Sequence, residues 1–286
     1  MSLIPGTLWI VATPLGNPGD LSPRAREVLA SVSGILAEDT RKTGSLLARC
    51  GVTGLSGGAS GSPAFISFHD HNEEARLPQA LARLKGGESL ALVSDAGTPL
   101  FSDPGYRLVR ACRDAGLPVS PIPGPSAPLA ALCASGLPPY PFVFLGFAPR
   151  KKAEREAFFT PFAALPATLV FFERKDRLKA TLGCAFAALG KREGCIAREL
   201  TKQYEEFLFF ILGEHKGLPE MLGEITVVLG PPTGDARSAP DVVAAVLAEE
   251  AARGGRMKEV AVRAQARLKG WTTKELYGRL CGKEPG

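Results

Sequence analysis

The sequence predicts an α/β protein: two tandem α/β domains followed by a small helical module rich in lysine and arginine. Short apolar runs of strand length alternate with helix-length segments from Leu8 to Leu229, as expected where strands are joined through helices. Three of these runs end in loops of Gly, Pro, Ser, Thr and Asp that lead into helices, the kind of loop on which α/β proteins build ligand sites. After Pro231 the strand-like runs stop and basic residues accumulate.

In the first domain, residues 1–123, the runs Leu8–Val11, Ile35–Ala37, Phe65–Phe68, Leu90–Val93 and Val119–Ile122 read as strands. Between them Ser22–Ala30, Thr40–Arg49, Glu73–Lys85 and Gly105–Ala115 read as helices. This alternation predicts a mostly parallel sheet covered on both faces. The Gly- and Ser-rich stretch 53–64 reads as a flexible inserted loop. In the second domain, residues 124–232, Phe142–Phe147, Thr168–Phe172, Cys195–Arg198, Phe207–Leu212 and Ile225–Leu229 read as strands, and Lys152–Phe159 and Asp176–Leu189 as helices. Pro231 to Asp235 reads as a linker. The module 238–286 reads as helices at Asp241–Ala252 and Lys258–Leu268, a stop at Gly270, and a further helix opened by Thr272 and Glu275 at capping-box spacing. Two short helices joined by a tight turn suggest a helix-turn-helix.

The three loops are Ala12 to Asp20, Ser94 to Gly105, and Pro123 to Ala127. In a parallel sheet they lie together at the carboxyl ends of the strands. Glycine lets the backbone approach a ligand closely, and proline fixes the loop's shape. None of the three is G-x-G-x-x-G or a Gly-Lys-Ser/Thr phosphate loop, so the nucleotide-like ligand they suggest is not marked as NAD or ATP. The cleft between the two domains is the expected place for it. At the end of the second strand Asp39 and Arg41 read either as cleft residues or as a helix cap and its ion pair. His69 and Asp70, ending the third, read either as site or as turn.

No apolar run approaches the ~20 residues that span a bilayer, and no signal peptide is visible, so a cytoplasmic protein is expected. None of the six cysteines forms a C-x-x-C pair and only three histidines exist, so reduced, mostly buried thiols are expected and a metal site is not. The net charge is +5, yet from Arg253 onward nine Lys and Arg stand against three Glu, so residues 1–252 together come to −1. Such a tail is either a solvated helical face or a polyanion contact.

A series of signatures runs through the chain in order: Thr13-Pro-Leu-Gly-Asn17, Ala37-Glu-Asp-Thr-Arg41, Phe68-His-Asp-His-Asn-Glu73, Ser94-Asp-Ala-Gly-Thr-Pro99 with Ser102-Asp-Pro-Gly105, Pro123-Gly-Pro-Ser-Ala127, and Arg198-Glu-Leu-Thr-Lys202. On these residues the N-terminal two-thirds resembles the tetrapyrrole methylase superfamily, and within it the branch that methylates the ribose 2′-hydroxyl of a cytidine in bacterial small-subunit (16S) ribosomal RNA. The resemblance implies that S-adenosylmethionine binds folded in the interdomain cleft. It implies contacts from Pro14 at the cleft floor, from Ala96, Gly97, Thr98 and Phe101, and from Ser126 and Ala127. Phe172, Leu200 and Thr226 of the second domain are implied on the adenine side. It also implies a homodimer acting on ribosomal RNA or the small subunit.

Two departures stand out. The loop 53–64 is long, and after Glu206, where family members usually carry an Arg-Gly pair, this chain has Phe207-Leu-Phe-Phe-Ile211. Methyl transfer from a sulfonium is an in-line displacement, so positioning is the protein's main contribution. A ribose hydroxyl benefits from a proton acceptor, for which Asp39, His69 and Glu199 are the candidates. Arg41 and Lys202 are expected on RNA phosphates. The run Arg150, Lys151, Lys152 and Arg155 is either the solvated start of a helix or, through Lys151 and Lys152, part of an RNA-facing rim. The competing expectations are a tetrapyrrole methyltransferase and a non-catalytic ribosome-assembly protein.

Overall fold

The computed structural model describes residues 4–52, 63–232, 240–268 and 270–281. Most of the expected inserted loop, the linker beyond Pro232, Lys269 and Lys283 lie outside the described residues.

The first domain holds β1 (Leu8–Val11), α1 (Pro23–Ser31), β2 (Gly34–Ala37), α2 (Thr40–Arg49), β3 (Ala64–Ser67), α3 (Glu73–Lys85), β4 (Leu90–Val93), α4 (Tyr106–Asp114) and β5 (Val119–Ile122). Its sheet runs β3-β2-β4-β1-β5, and each pairing is parallel. Side chains alternate along the strands. Trp9, Val11, Ile35, Ala37, Ala91 and Val93 pack on α1 and α2. Leu8, Leu36, Leu90 and Leu92 pack on α3 and α4. Both faces are therefore covered, which is why the strands are apolar throughout. Local chemistry starts the helices: the Ser22 hydroxyl accepts from the Ala25 N–H ahead of Pro23, and Asp39 caps α2.

The second domain holds α5 (Ala127–Ala134), β6 (Phe142–Phe147), α6 (Lys152–Phe159), β7 (Thr168–Arg174), α7 (Leu178–Leu189), β8 (Glu193–Arg198), β9 (Glu206–Ile211) and β10 (Glu224–Leu229). Its sheet runs β6-β7-β10-β8-β9. Only β6 and β7 pair in parallel; the other pairings are antiparallel. α6 and α7 cover one face around Phe159, Phe171, Leu182 and Ile196. α5, which the sequence reading left as loop, covers the other: Ala131 and Leu132 pack on Val170, Cys195, Ala197 and Val228.

The C-terminal module holds α8 (Pro240–Ala252), α9 (Met257–Gln265) and α10 (Thr273–Leu280) around its own core of Val243, Leu247, Ala261, Ala264, Trp271 and Leu276. The Thr272–Glu275 capping box is formed. α9 ends before the expected Leu268, because Arg267 and Leu268 bond three residues back, to Ala264 O and Gln265 O. No helix among the described residues is long and apolar enough to cross a membrane.

Candidate functional site

The carboxyl ends of β1, β4 and β5 bring three loops together. The Thr13 N–H donates to Gly97 O at 2.8 Å and the Gly97 N–H to Thr13 O at 3.0 Å. The Thr13 hydroxyl donates to Ser94 O at 3.1 Å and the Thr98 hydroxyl to Pro125 O at 2.9 Å, so each loop holds the next. Glycine is required at the crossing: Gly97 has φ +82°, and a Cβ there would stand 3.1 Å from Leu15 Cδ2. Farther along, Leu100 and Ser102 have φ of 73° and 70°, a conformation rare outside glycine and concentrated at functional sites.

The second sheet closes over these loops. Leu15 packs into the cluster that contains Leu200. The Asn17 N–H donates to the Thr201 hydroxyl at 3.2 Å. The Lys202 stem lies against Gly16, where any side chain would collide with it. Between the halves is a cavity of about 610 Å³, a volume in the roughly 300–1,000 Å³ range of small-molecule sites. Ala96, Gly97, Thr98 and Phe101 line one side with Ser126 and Ala127, and Phe172, Leu200 and Thr226 line the other. Pro14 is buried but does not line the cavity; its neighbour Leu15 does. The Phe172 ring lies 5.0 Å from that of Phe144 and 5.1 Å from that of Phe147, and Phe101 of the first domain reaches Phe144 at 6.0 Å.

Asp39, His69 and Glu199 stand off the cavity lining. Asp39 Oδ1 accepts from the Arg41 and Lys42 N–H groups at 3.0 and 3.1 Å. These bonds, the one from Lys42 first, hold its carboxyl below the ordinary range, as for a helix cap. The His69 N–H donates to Asn72 Oδ1 at 2.8 Å, and its buried Nδ1 has no hydrogen-bond partner. Glu199 accepts from the Glu224 N–H at 3.0 Å and from Lys202 Nζ at 3.1 Å. The amide first, then the ammonium, hold it below its usual value against the opposing effect of burial.

Among the expected phosphate ligands, Arg41 is exposed, and Lys151 and Lys152 are exposed beside Glu154 and Glu156. Arg155 turns inward, its Nη1 donating to Arg150 O at 3.0 Å. Lys202 is engaged within the protein, at 3.1 Å from Glu199 and 3.0 Å from Glu224. Burial alone would depress its ammonium, but the hydrogen bonds to Glu224 and Glu199 outweigh that and hold it above its ordinary value.

Sequence reasoning assigned no role to Asp95, Asp103, Phe147, Glu173 or Glu224, which also line the cavity. The two aspartates had a signal, as acidic residues inside the most ligand-like loop. Phe147 and Glu224 had none, because they sit at strand ends of the opposite sheet. Lys42, next to the expected Arg41, pairs with Asp95 at 3.1 Å.

Known proteins share these features. The family model described as tetrapyrrole (corrin/porphyrin) methylases matches residues 7–215. A protein of Micromonospora olivasterospora named ribosomal RNA small subunit methyltransferase I is 44% identical over 96% of this chain and 83% of its own. One of the same name from Mesorhizobium japonicum is 42% identical over 96% of this chain and 90% of its own. Among solved structures, uroporphyrin-III C-methyltransferase from Thermus thermophilus, complexed with S-adenyl homocysteine, superposes with a TM-score of 0.52 at 20% identity, covering 78% of this chain and 96% of that one. With the family model spanning both sheets and the loops between them, this chain belongs to the tetrapyrrole methylase family.

Proposed function

We propose that this chain transfers a methyl group from S-adenosylmethionine to the ribose 2′-hydroxyl of a cytidine in small-subunit ribosomal RNA. The observation that carries the reading is the cavity between the two sheets, whose lining takes in Ala96, Gly97, Thr98, Ser126 and Ala127 from the signature loops. The relatives named ribosomal RNA small subunit methyltransferase I, 42–44% identical, support the choice of substrate.

The residues present fit the cofactor. The lining carries Asp95, Asp103, Glu173, Asp176 and Glu224 against Arg174 and Lys175, an acidic excess suited to a cation. Asp95 Oδ1 is buried without a hydrogen-bond partner, an acceptor of the kind a methionine ammonium needs. Phe172 and Leu200 offer an apolar wall to the adenine. S-adenosylmethionine, when bound, supplies a methyl group on a positively charged sulfur. The chain's residues bind and orient, and the closed cavity keeps water from the reacting atoms. Such positioning contributes on the order of 7–11 kcal/mol. Arg41, Lys151 and Lys152 are the exposed cations that this reading assigns to RNA phosphates.

The test is incubation with methyl-labelled S-adenosylmethionine and small ribosomal subunits from cells lacking this protein. Label recovered as 2′-O-methylcytidine, with binding that weakens steeply as salt rises, is the expected result. Absence of label on subunits and on naked RNA, with cofactor binding intact, overturns the reading.

A further inference from the structure

Asp103 is the cavity carboxylate that the protein leaves without a partner. Asp95 is paired with Lys42 at 3.1 Å. Glu173 accepts from the side chains of Arg177 and Thr181 and from the Arg174 N–H. Asp176 accepts from Arg174 Nε at 3.2 Å, and Glu224 from Lys202 Nζ at 3.0 Å. No donor among the described residues bonds the Asp103 carboxylate, although the residue is half-buried and lines the cavity.

Its position is preset by the backbone. Leu100, Ser102 and Gly105 have φ of 73°, 70° and 124°, so Asp103 lies inside a loop whose conformation the surrounding fold imposes. The loop abuts the second domain, since a Cβ on Gly146 would stand 3.2 Å from Ser102 Oγ.

The charges around it come from several elements. Glu38 after β2, Asp70 after β3 and Asp95 after β4 repel a negative charge at Asp103. Lys42 on α2 is committed to Asp95, and Arg107 on α4 to Glu74 on α3 at 3.3 Å. His69 lies near Glu38, and Arg174 and Lys175 line the cavity from β7 and its end. Burial first, then Glu38, Asp95 and Asp70, push the Asp103 carboxyl up to about 7. A carboxylate so placed is both a stronger base than an ordinary one and available near neutral pH.

We propose that Asp103 is the proton acceptor for the substrate hydroxyl. The assignment rests on the reading that the accepting group is a ribose 2′-hydroxyl and the donor a methyl sulfonium. An oxygen electron pair forms the new oxygen–carbon bond as the sulfur–carbon bond breaks and its pair returns to sulfur, giving a neutral thioether. The hydroxyl proton passes to Asp103 and from there to water, which restores the carboxylate.

The test uses the full chain with small subunits and saturating cofactor. At about pH 8, Asp103→Asn lowers the single-turnover rate by about 10²–10⁴-fold. Binding of S-adenosylhomocysteine and of subunits stays close to wild type, which shows the variant folded. The wild-type rate rises as pH rises through about 7, because only the ionised carboxylate accepts a proton, and the variant lacks that rise. Independently of turnover, carboxyl ¹³C NMR of the wild-type protein shows a resonance titrating near 7 that Asp103→Asn removes. A wild type that labels RNA ribose together with a variant of near wild-type rate and unchanged pH profile overturns the assignment alone. A wild type that leaves RNA ribose unlabelled overturns the functional reading and the assignment with it.

Discussion

The carboxylates around the cleft differ in what already occupies their lone pairs. Asp39 and Glu199 are both satisfied by backbone amides, which favour the ionised form and make each a weaker base. Asp39 is a cap, so Asp39→Ala lowers the unfolding free energy by about 0.5–2 kcal/mol, while Asp39→Asn keeps most of it because asparagine caps as well. Denaturant unfolding of the two variants checks this. In the sequence, a cap and a base look alike: each is an aspartate between a strand and a helix. Side-chain direction separates them, and that depends on the turn Asp39 makes into α2.

At the scale of elements, the site is a crossing of loops. Thr13, Gly97 and Pro125 come from the ends of three strands, and their mutual hydrogen bonds make one rigid surface. Gly97→Ala forces a Cβ toward Leu15 at a positive φ, a strain of about 1–3 kcal/mol. Relief by loop movement distorts the cavity wall, so S-adenosylhomocysteine binding weakens by roughly tenfold or more, with the fold retained by circular dichroism; calorimetric titration reads it. These loops were legible because Gly, Pro, Ser and Asp after an apolar run carry a local signal. α5 was not. Ala-Pro-Leu-Ala-Ala-Leu-Cys-Ala, residues 127–134, has no polar face to show a helical period, because its site between the sheet and the first-domain loop asks for none. The mixed pairing of the second sheet was equally hidden, since a buried apolar strand reads the same in either direction.

Across the whole molecule, the basic tail is less basic outward than its composition. Glu250, buried on α8, pairs with Arg253 at 2.8 Å, Arg263 at 3.0 Å and Arg267 at 2.7 Å. Arg267 also holds Glu249 at 2.6 Å, and Arg279 stacks over Trp271 at 4.7 Å. These arginines knit α8, α9 and α10 together, leaving a smaller set for any polyanion. Hydrogen bonds from Arg267, then from Arg263, depress the Glu250 carboxyl. A depressed carboxylate stabilises fully above its ordinary range, and that contribution is lost as pH falls through the depressed value. Glu250→Gln therefore speeds amide exchange across α8–α10 at neutral pH, and the difference from wild type shrinks in acid. Equal exchange at neutral pH would show that the three arginines do not depend on it.

The sequence by itself determined the order and type of nearly all the elements, the family, and the loops that wall the cavity. Each of these rests on a local property: hydrophobic period, turn chemistry, or a contiguous signature. Only the tertiary structure decided which charges are already used. Lys202 faces two carboxylates, Arg155 turns inward, Glu250 gathers three arginines, and Asp103 is left unpartnered beside the cavity. Pairing is a contact between residues far apart in the chain, and charge in the sequence carries no record of the partner that neutralises it.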